Sequence, residues 1–404
     1  MMSHNVQQSR PALWSLSFVL ATLANGLLFM IFEMLLPTLP LYVNTIGGNA
    51  TDVGLVTGVF MVSAILIRPF AGYLLRLVNK KYLLIFGITI NAVATGMYYL
   101  AETVSALLII RLVHGLGFGL ATTYLSTLVA EIIPKERRGE GMGYFGVGET
   151  VAISIGPMIG IAILEVFDYS RLFIGGLSIL LLAALMIALT KSPKKPDSVG
   201  ETQQLKVKLL EKRVFIPALL TLLVGVAASG IMSFFSLYAI EKDFQGIGWF
   251  FFIIALASFL VRLVSGKLFD RHGPSVILIP GALLATTGLL VLYVAHIDFT
   301  FYLAAALYGL GFGAIFPAIQ TWCINLVEEH EHEYAMSTFF NFFDFGIGGG
   351  SLFLGILATN FSYGVVYLVG IAFYIAFLML YLYIVYNLKK ENSSIGGLYS
   401  ENSY

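Results

Sequence analysis

Charge and cysteine are both scarce in this sequence. Only 11% of its 404 residues are Asp, Glu, Lys or Arg, and acids and bases cancel to a formal net charge of zero. No basic field of the kind that tracks a nucleic-acid backbone is present, and no nucleic-acid partner is expected. The single cysteine, Cys323, excludes an internal disulfide, and inside an apolar run it reads as a buried spectator. Zinc-protease, Ser/His/Asp and P-loop patterns are missing as well. Neither enzymatic activity, a resident cofactor nor a metal site is therefore expected. Long polar stretches are nearly absent: the one example is TKSPKKPDSVGETQQLKVKLLEKR, from Thr190 to Arg213.

What fills the chain instead is hydrocarbon. Hydrophobic side chains make up 58% of it, and the mean hydropathy is +0.88. Apolar runs long enough to cross a bilayer core of about 30 Å recur twelve times. They cover roughly 14–43, 52–78, 82–101, 104–131, 140–166, 170–190, 214–241, 246–269, 275–296, 298–327, 333–359 and 361–388. The first run is too long for a cleaved signal core and reads as a retained helix. The expected fold is all-α and integral to the membrane, with twelve transmembrane helices.

The basic residues are sorted by loop. One alternating set of loops carries eighteen of the 23, among them Arg10, Arg76, Lys80, Lys81, Lys135, Arg137, Arg138, Lys267, Arg271, Lys389 and Lys390. The opposite set carries only Arg171 and Lys242. Because cytoplasmic loops hold the excess of Lys and Arg, both termini and the 191–213 loop are expected in the cytoplasm of a multi-pass cell-membrane protein.

The long polar stretch divides the runs six and six. That division predicts a first half over 1–190, a linker over 191–213, a second half over 214–390 and a tail over 391–404. The halves echo each other at an offset of 194: HGLGFG (His114 to Gly119) falls on YGLGFG (Tyr308 to Gly313), RPFAG (Arg68 to Gly72) on RLVSG (Arg262 to Gly266), and Gly156 on Gly350. Three matches in register indicate duplication into two pseudo-symmetric six-helix bundles, an architecture of transporters.

These residues carry a resemblance. The chain resembles the Major Facilitator Superfamily, in particular its twelve-helix drug:proton antiporter branch. GYLLRLVNKK (Gly72 to Lys81) is similar to the family's signature after helix 2, except that Arg76 stands where an Asp is expected. The second-half copy GKLFDRHG keeps Gly266, Asp270, Arg271 and Gly273. Arg111 and His114 resemble the helix 4 signature, with His in a Gln position. Gly143, Gly156, Pro157 and Gly160 resemble the antiporter motif of helix 5. The resemblance implies proton-coupled efflux of small amphipathic or drug-like compounds by alternating access, from a monomer. Alternatives are an exporter of a defined metabolite, such as a sugar or a metal-chelating small molecule, and a non-transporting receptor or scaffold.

Six charges fall inside the apolar runs: Arg68, Arg111, Arg262, Glu33, Glu149 and Asp344. Each unpaired charge costs on the order of 3 kcal/mol at a helix centre, so they must pair, snorkel or face water. Arg68 and Arg262, each followed by a glycine (Gly72, Gly266) and then by loop charges, read as anchors of a cytoplasmic gate. Arg111 and His114, one turn apart on one side, read as a coupling or substrate-cavity pair. Glu33 lies in FEMLLPTLPLY with Pro37 and Pro40 on its face, where proline loosens the backbone near the acid. An acid in a low-dielectric cavity can exchange protons near neutral pH, so Glu33, Asp344 and Glu149 are the proton-coupling candidates. Asn341 shares the stripe of Asp344 and joins the cavity candidates. The run EEHEHE (Glu328 to Glu333) reads as a solvated acidic loop answering the basic ones, not as a metal site.

Overall fold

The computed structural model describes residues 13–134, 137–191, 210–328 and 331–394. The 192–209 part of the expected linker, the 395–404 part of the tail and the Glu329/His330 part of the acidic loop lie outside the described residues. Within them the chain is helical throughout: α1 Leu16–Thr45, α2 Ala50–Leu77, α3 Lys80–Met97, α4 Val104–Ile132, α5 Arg138–Val166, α6 Tyr169–Leu189, α7 Phe215–Glu241, α8 Ile247–His272, α9 Ser275–Tyr293, α10 Asp298–Asn325, α11 His332–Asn360 and α12 Tyr363–Ser394. Lipid leaves no other way to satisfy the backbone of a lone span, so each apolar run becomes a helix. Eleven helices are long and apolar enough to cross a membrane as continuous rods. The remaining one, α5, is bent by 41° between Tyr144–Ile153 and Ile155–Val166. Pro157 explains the bend, because its ring nitrogen cannot donate to the carbonyl of Ile153.

Short polar side chains start the helices. Ser15, Asn79, Thr103 and Asp168 each accept from a backbone N–H of the first turn. Asn49 forms a full capping box with Asp52: its Oδ1 accepts at 3.1 Å from the Asp52 N–H, and its own N–H donates at 2.8 Å to Asp52 Oδ2. Lys81 Nζ donates at 2.7 Å to the carbonyls of both Ala188 and Thr190, so a basic loop residue closes the end of α6.

Helices pack in the pattern that duplication demands. In the first half α1 packs on α5 and α6, and α4 on α2 and α3; in the second, α7 packs on α11 and α12, and α10 on α8 and α9. The repeated hexapeptide is the surface that makes this possible. Gly115 and Gly119 bring α4 against Phe60 and Ala64 of α2, while Gly117 brings it against Gly87 of α3. Gly309 and Gly313 repeat the contact against Ile254 and Ser258 of α8, and Gly311 against Gly281 and Ala285 of α9. A Cβ on Gly311 would stand 2.5 Å from both the Ala285 nitrogen and the Gly281 oxygen, whereas one on Gly266 would meet nothing within 4 Å. Gly311→Ala is therefore expected to lower the thermal unfolding temperature of the detergent-purified protein, with a cost of about 1–3 kcal/mol for overpacking. Gly266→Ala in the same measurement is expected to leave it unchanged.

The halves meet along α2 with α11 and along α5 with α8, two contacts related by the same offset, with α1 and α7 beside them. At the end opposite the Lys80/Lys81 loop, the Thr51 and Thr359 hydroxyls are 2.9 Å apart and Gly54 lies against Ser351 and Leu352. Further in, a row of buried hydroxyls joins Thr57 to Ser233 at 3.4 Å and Ser233 to Ser351 at 2.9 Å.

Candidate functional site

Between the halves lies a narrow cavity of ≈ 50 Å³, walled by Glu33, Pro37 and Pro157 from the first half and by Phe251, Arg262, Tyr308 and Phe312 from the second. Glu33 reaches it from α1. Its carboxylate makes no ion pair or hydrogen bond among the described residues, and the side chain is 5% exposed. Gly156 of α5 makes room for it: a Cβ there would stand 2.6 Å from the Glu33 Cβ. One turn on, Gly160 similarly abuts Met34. Among the glycine positions of the helix 5 motif, Gly156 and Gly160 thus hold α5 against the acid-bearing face of α1, and Pro157 lines the cavity beside them.

Arg68 of α2 crosses to the other half. Its Nη2 lies 3.0 Å from Asp344 Oδ2, and its Nη1 donates at 2.9 Å to Asn341 Oδ1, both on α11. The stripe formed by Asn341 and Asp344 is therefore occupied by one guanidinium. Glu149 of α5 lies within Coulombic reach of this pair and of Glu33. The three proton-coupling candidates thus interact electrostatically, Glu149 with each of the other two.

Arg111 and His114 stand apart from the cavity wall. Arg111 is 2% exposed inside the first half, where Nε donates at 3.0 Å to the Val56 carbonyl and the guanidinium lies 4.2 Å from the Phe60 ring centroid. Its Nη1 donates at 3.4 Å to Tyr98 Oη. Tyr98 Oη is 2.6 Å from His114 Nδ1, and His114 Nε2 is 2.6 Å from Asn91 Oδ1. A neutral imidazole with its proton on Nε2 satisfies every partner: Arg111 donates to Tyr98, Tyr98 to His114, and His114 to Asn91. Phe60 links this network to the cavity side, stacking on Phe32 at 5.3 Å next to Glu33. At the offset of 194, Ala305 replaces Arg111 and Tyr308 replaces His114, so the cavity-facing copy of the hexapeptide has no charge.

Arg262 of α8 is the cation on the cavity wall. Its Nε is buried without a hydrogen-bond partner, and among the described residues no acidic side chain pairs with it. Asp270 and Arg271 are exposed at the end of α8, which Gly273 terminates with φ 74°. Gly72 lies within α2, and the Arg76 side chain lies outside the described residues. In the acidic loop Glu331 pairs with Arg213, which also holds Glu211 at 2.9 Å, so part of that loop does answer a basic residue. Two partners of these candidate residues escaped sequence reasoning: Tyr98, in the 3-10 turn after α3, and Asn91. Asn91 had a signal, a polar residue in the middle of an apolar run.

Known proteins share this architecture. The family model described as Major Facilitator Superfamily matches residues 21–246 and 217–398. Quinolone resistance protein NorA of Staphylococcus aureus (strain COL) is 27% identical over 313 residues, covering 76% of this chain and 80% of that protein. An uncharacterized MFS-type transporter of Methanocaldococcus jannaschii is 27% identical over 335 residues, covering 80% and 86%. Among solved structures, the nucleoside transporter NupG superposes with a TM-score of 0.71 at 16% identity, covering 90% of this chain and 99% of that one. A bacterial homolog of the human lysosomal transporter Spinster, inward-facing and occupied, gives 0.73 at 15% identity, covering 90% and 97%.

Proposed function

Since the chain belongs to the Major Facilitator Superfamily and is a multi-pass membrane transporter of small molecules, we propose that it exports amphipathic, drug-like compounds across the cell membrane in exchange for protons, by alternating access. The relative named for quinolone resistance supports efflux as the direction. The basic loops support a cytoplasmic position for both termini. We take the working unit to be one chain, because a single pair of halves encloses the cavity.

Glu33 carries the reading. Among the described residues it is the only carboxylate on the wall of a cavity otherwise made of apolar and aromatic side chains, Ser258 and Arg262, and it has no ion-pair partner there. A carboxylate in such a place must be neutralised, by a proton or by the cationic group of a substrate. The two compete for one position, and competition at a site exposed alternately to either side is the essence of exchange. At ≈ 50 Å³ the cavity is contracted, since sites for drug-sized molecules run to about 300 Å³ or more. Substrate entry then requires the halves to rock apart, and the α2/α11 and α5/α8 contacts are the surfaces on which they would move. The cation at Arg262 favours a second reading, export of a defined charged metabolite, within the same mechanism.

The test uses purified protein in proteoliposomes with an imposed pH gradient and ethidium as the reporter cation. The wild type is expected to accumulate the dye when the gradient is applied. Glu33→Gln, isosteric but unable to exchange a proton, is expected to reduce accumulation about tenfold, to the level of protein-free vesicles. Gradient-driven accumulation by Glu33→Gln at the wild-type rate would remove Glu33 from proton coupling.

A further inference from the structure

Two opposite charges face one cavity from different halves, and among the described residues neither has a hydrogen-bond or ion-pair partner. Glu33 comes from α1 of the first half and Arg262 from α8 of the second; both line the space, yet they form no ion pair with each other. Arg262 is not a disguised structural anchor of the kind its duplicate is. Arg68, at the offset of 194, spends its guanidinium on Asn341 and Asp344 of α11. The positions on α5 that correspond to Asn341 and Asp344 are Val147 and Thr150, and neither is a carboxylate. Duplication kept the arginine and its helix but not the counter-ion, leaving Nε buried and unpaired beside Phe251, Tyr308 and Phe312. A buried Nε–H without an acceptor is costly, and a carboxylate placed there would make a charge-assisted bond to it.

We propose that the preferred transported compounds are zwitterionic amphiphiles: an apolar or aromatic body with an amine that binds Glu33 and a carboxylate that binds Arg262. Such a molecule bridges the halves and leaves no net charge in the cavity. It also reconciles binding at Arg262 with exchange at Glu33. A simple anion would bind best when Glu33 is protonated, which favours co-transport, whereas the amine of a zwitterion takes the place of the proton. The inference rests on the reading of Glu33 given above, and it makes Arg262 the residue that selects for a carboxylate.

Competition against gradient-driven ethidium uptake in proteoliposomes tests it. The probes are one dansyl-labelled aromatic skeleton as the zwitterion, as its methyl ester (amine only) and as its N-acetyl derivative (carboxylate only), made with increasing spacing between amine and carboxylate. At the best spacing the zwitterion is expected to inhibit at a concentration about tenfold below either blocked form, as one charge-assisted bond allows. Arg262→Gln is expected to shrink the ratio of zwitterion to ester potency towards one, and Arg262→Lys to shrink it less. An ester as potent as the zwitterion at every spacing in the wild type overturns the proposal while dye uptake, and with it proton-coupled export, stands. An unchanged ratio in Arg262→Gln also overturns it. The wild-type comparison needs no variant to fold. Loss of gradient-driven ethidium uptake by the wild type itself would instead be the failure of the export reading.

Discussion

Asp344→Ala is expected to destabilise the protein by about 3 kcal/mol or more, because it leaves Arg68 without its carboxylate in the seam between the halves. The pair is short, at 3.0 Å, and mostly shielded, with side chains 21% and 18% exposed. Breaking such a pair from one side costs far more than replacing both members, since the remaining charge keeps its desolvation penalty. The double variant Arg68→Met/Asp344→Leu is therefore expected to recover most of the loss, and the cycle of single and double variants isolates the coupling. Unfolding of the detergent-solubilised protein by heat or denaturant reads all of them. Glu149 sharpens the expectation, because it is the other carboxylate in Coulombic reach of Arg68. Adding Glu149→Gln to Asp344→Ala should deepen the loss beyond the sum of the singles. If Asp344→Ala is as stable as the wild type, the ion pair does not hold the seam.

The second large effect is on movement. Gly54 lies on α2 where it touches α11, and a Cβ there would come within 2.8 Å of the Leu352 Cα and closer still to the Ser351 carbonyl. Both obstacles are backbone, so no rotamer change relieves them. Gly54→Val should force the helices apart at the end where Thr51 and Thr359 now share a hydrogen bond. A carrier that cannot close one end cannot complete its cycle, and transport is expected to fall about a hundredfold, a barrier of roughly 2.7 kcal/mol. A cysteine introduced by Thr51→Cys reports the geometry. It should react with a membrane-impermeant maleimide faster in the Gly54→Val background, with the native Cys323 silent because it is fully buried. Wild-type transport together with unchanged labelling would show that this contact is not a gate.

Much of this architecture was legible in the chain itself. The expected runs and the observed helices agree to within a few residues over most of their length: 104–131 became Val104–Ile132, and 333–359 became His332–Asn360. The duplication seen in HGLGFG and YGLGFG reappears as matched glycine contacts of α4 and α10. The i, i+3 stripe of Asn341 and Asp344 was readable because helical periodicity puts both on one face. Likewise Arg111 and His114, read as facing one side, do meet the same hydroxyl, that of Tyr98.

Destination was not legible. Helices α4 and α8 are apolar nearly all round, so no polar face says which side meets lipid, a neighbour or the cavity. Arg111 and His114 turn into the first half, while Arg262, alike in sequence to Arg68, opens on the cavity. The partner of Arg68 lies 273 residues away at Asn341, on a helix of the other half.

The sequence by itself determined that twelve helices form, because in lipid each span must satisfy its own backbone, and it determined that they form twice over. Which charges pair and which remain free was decided only when the halves came together. Glycine-lined helices slide into contacts that depend on surfaces hundreds of residues apart, and that Arg262 meets no counter-ion among the described residues shows only in that assembled space.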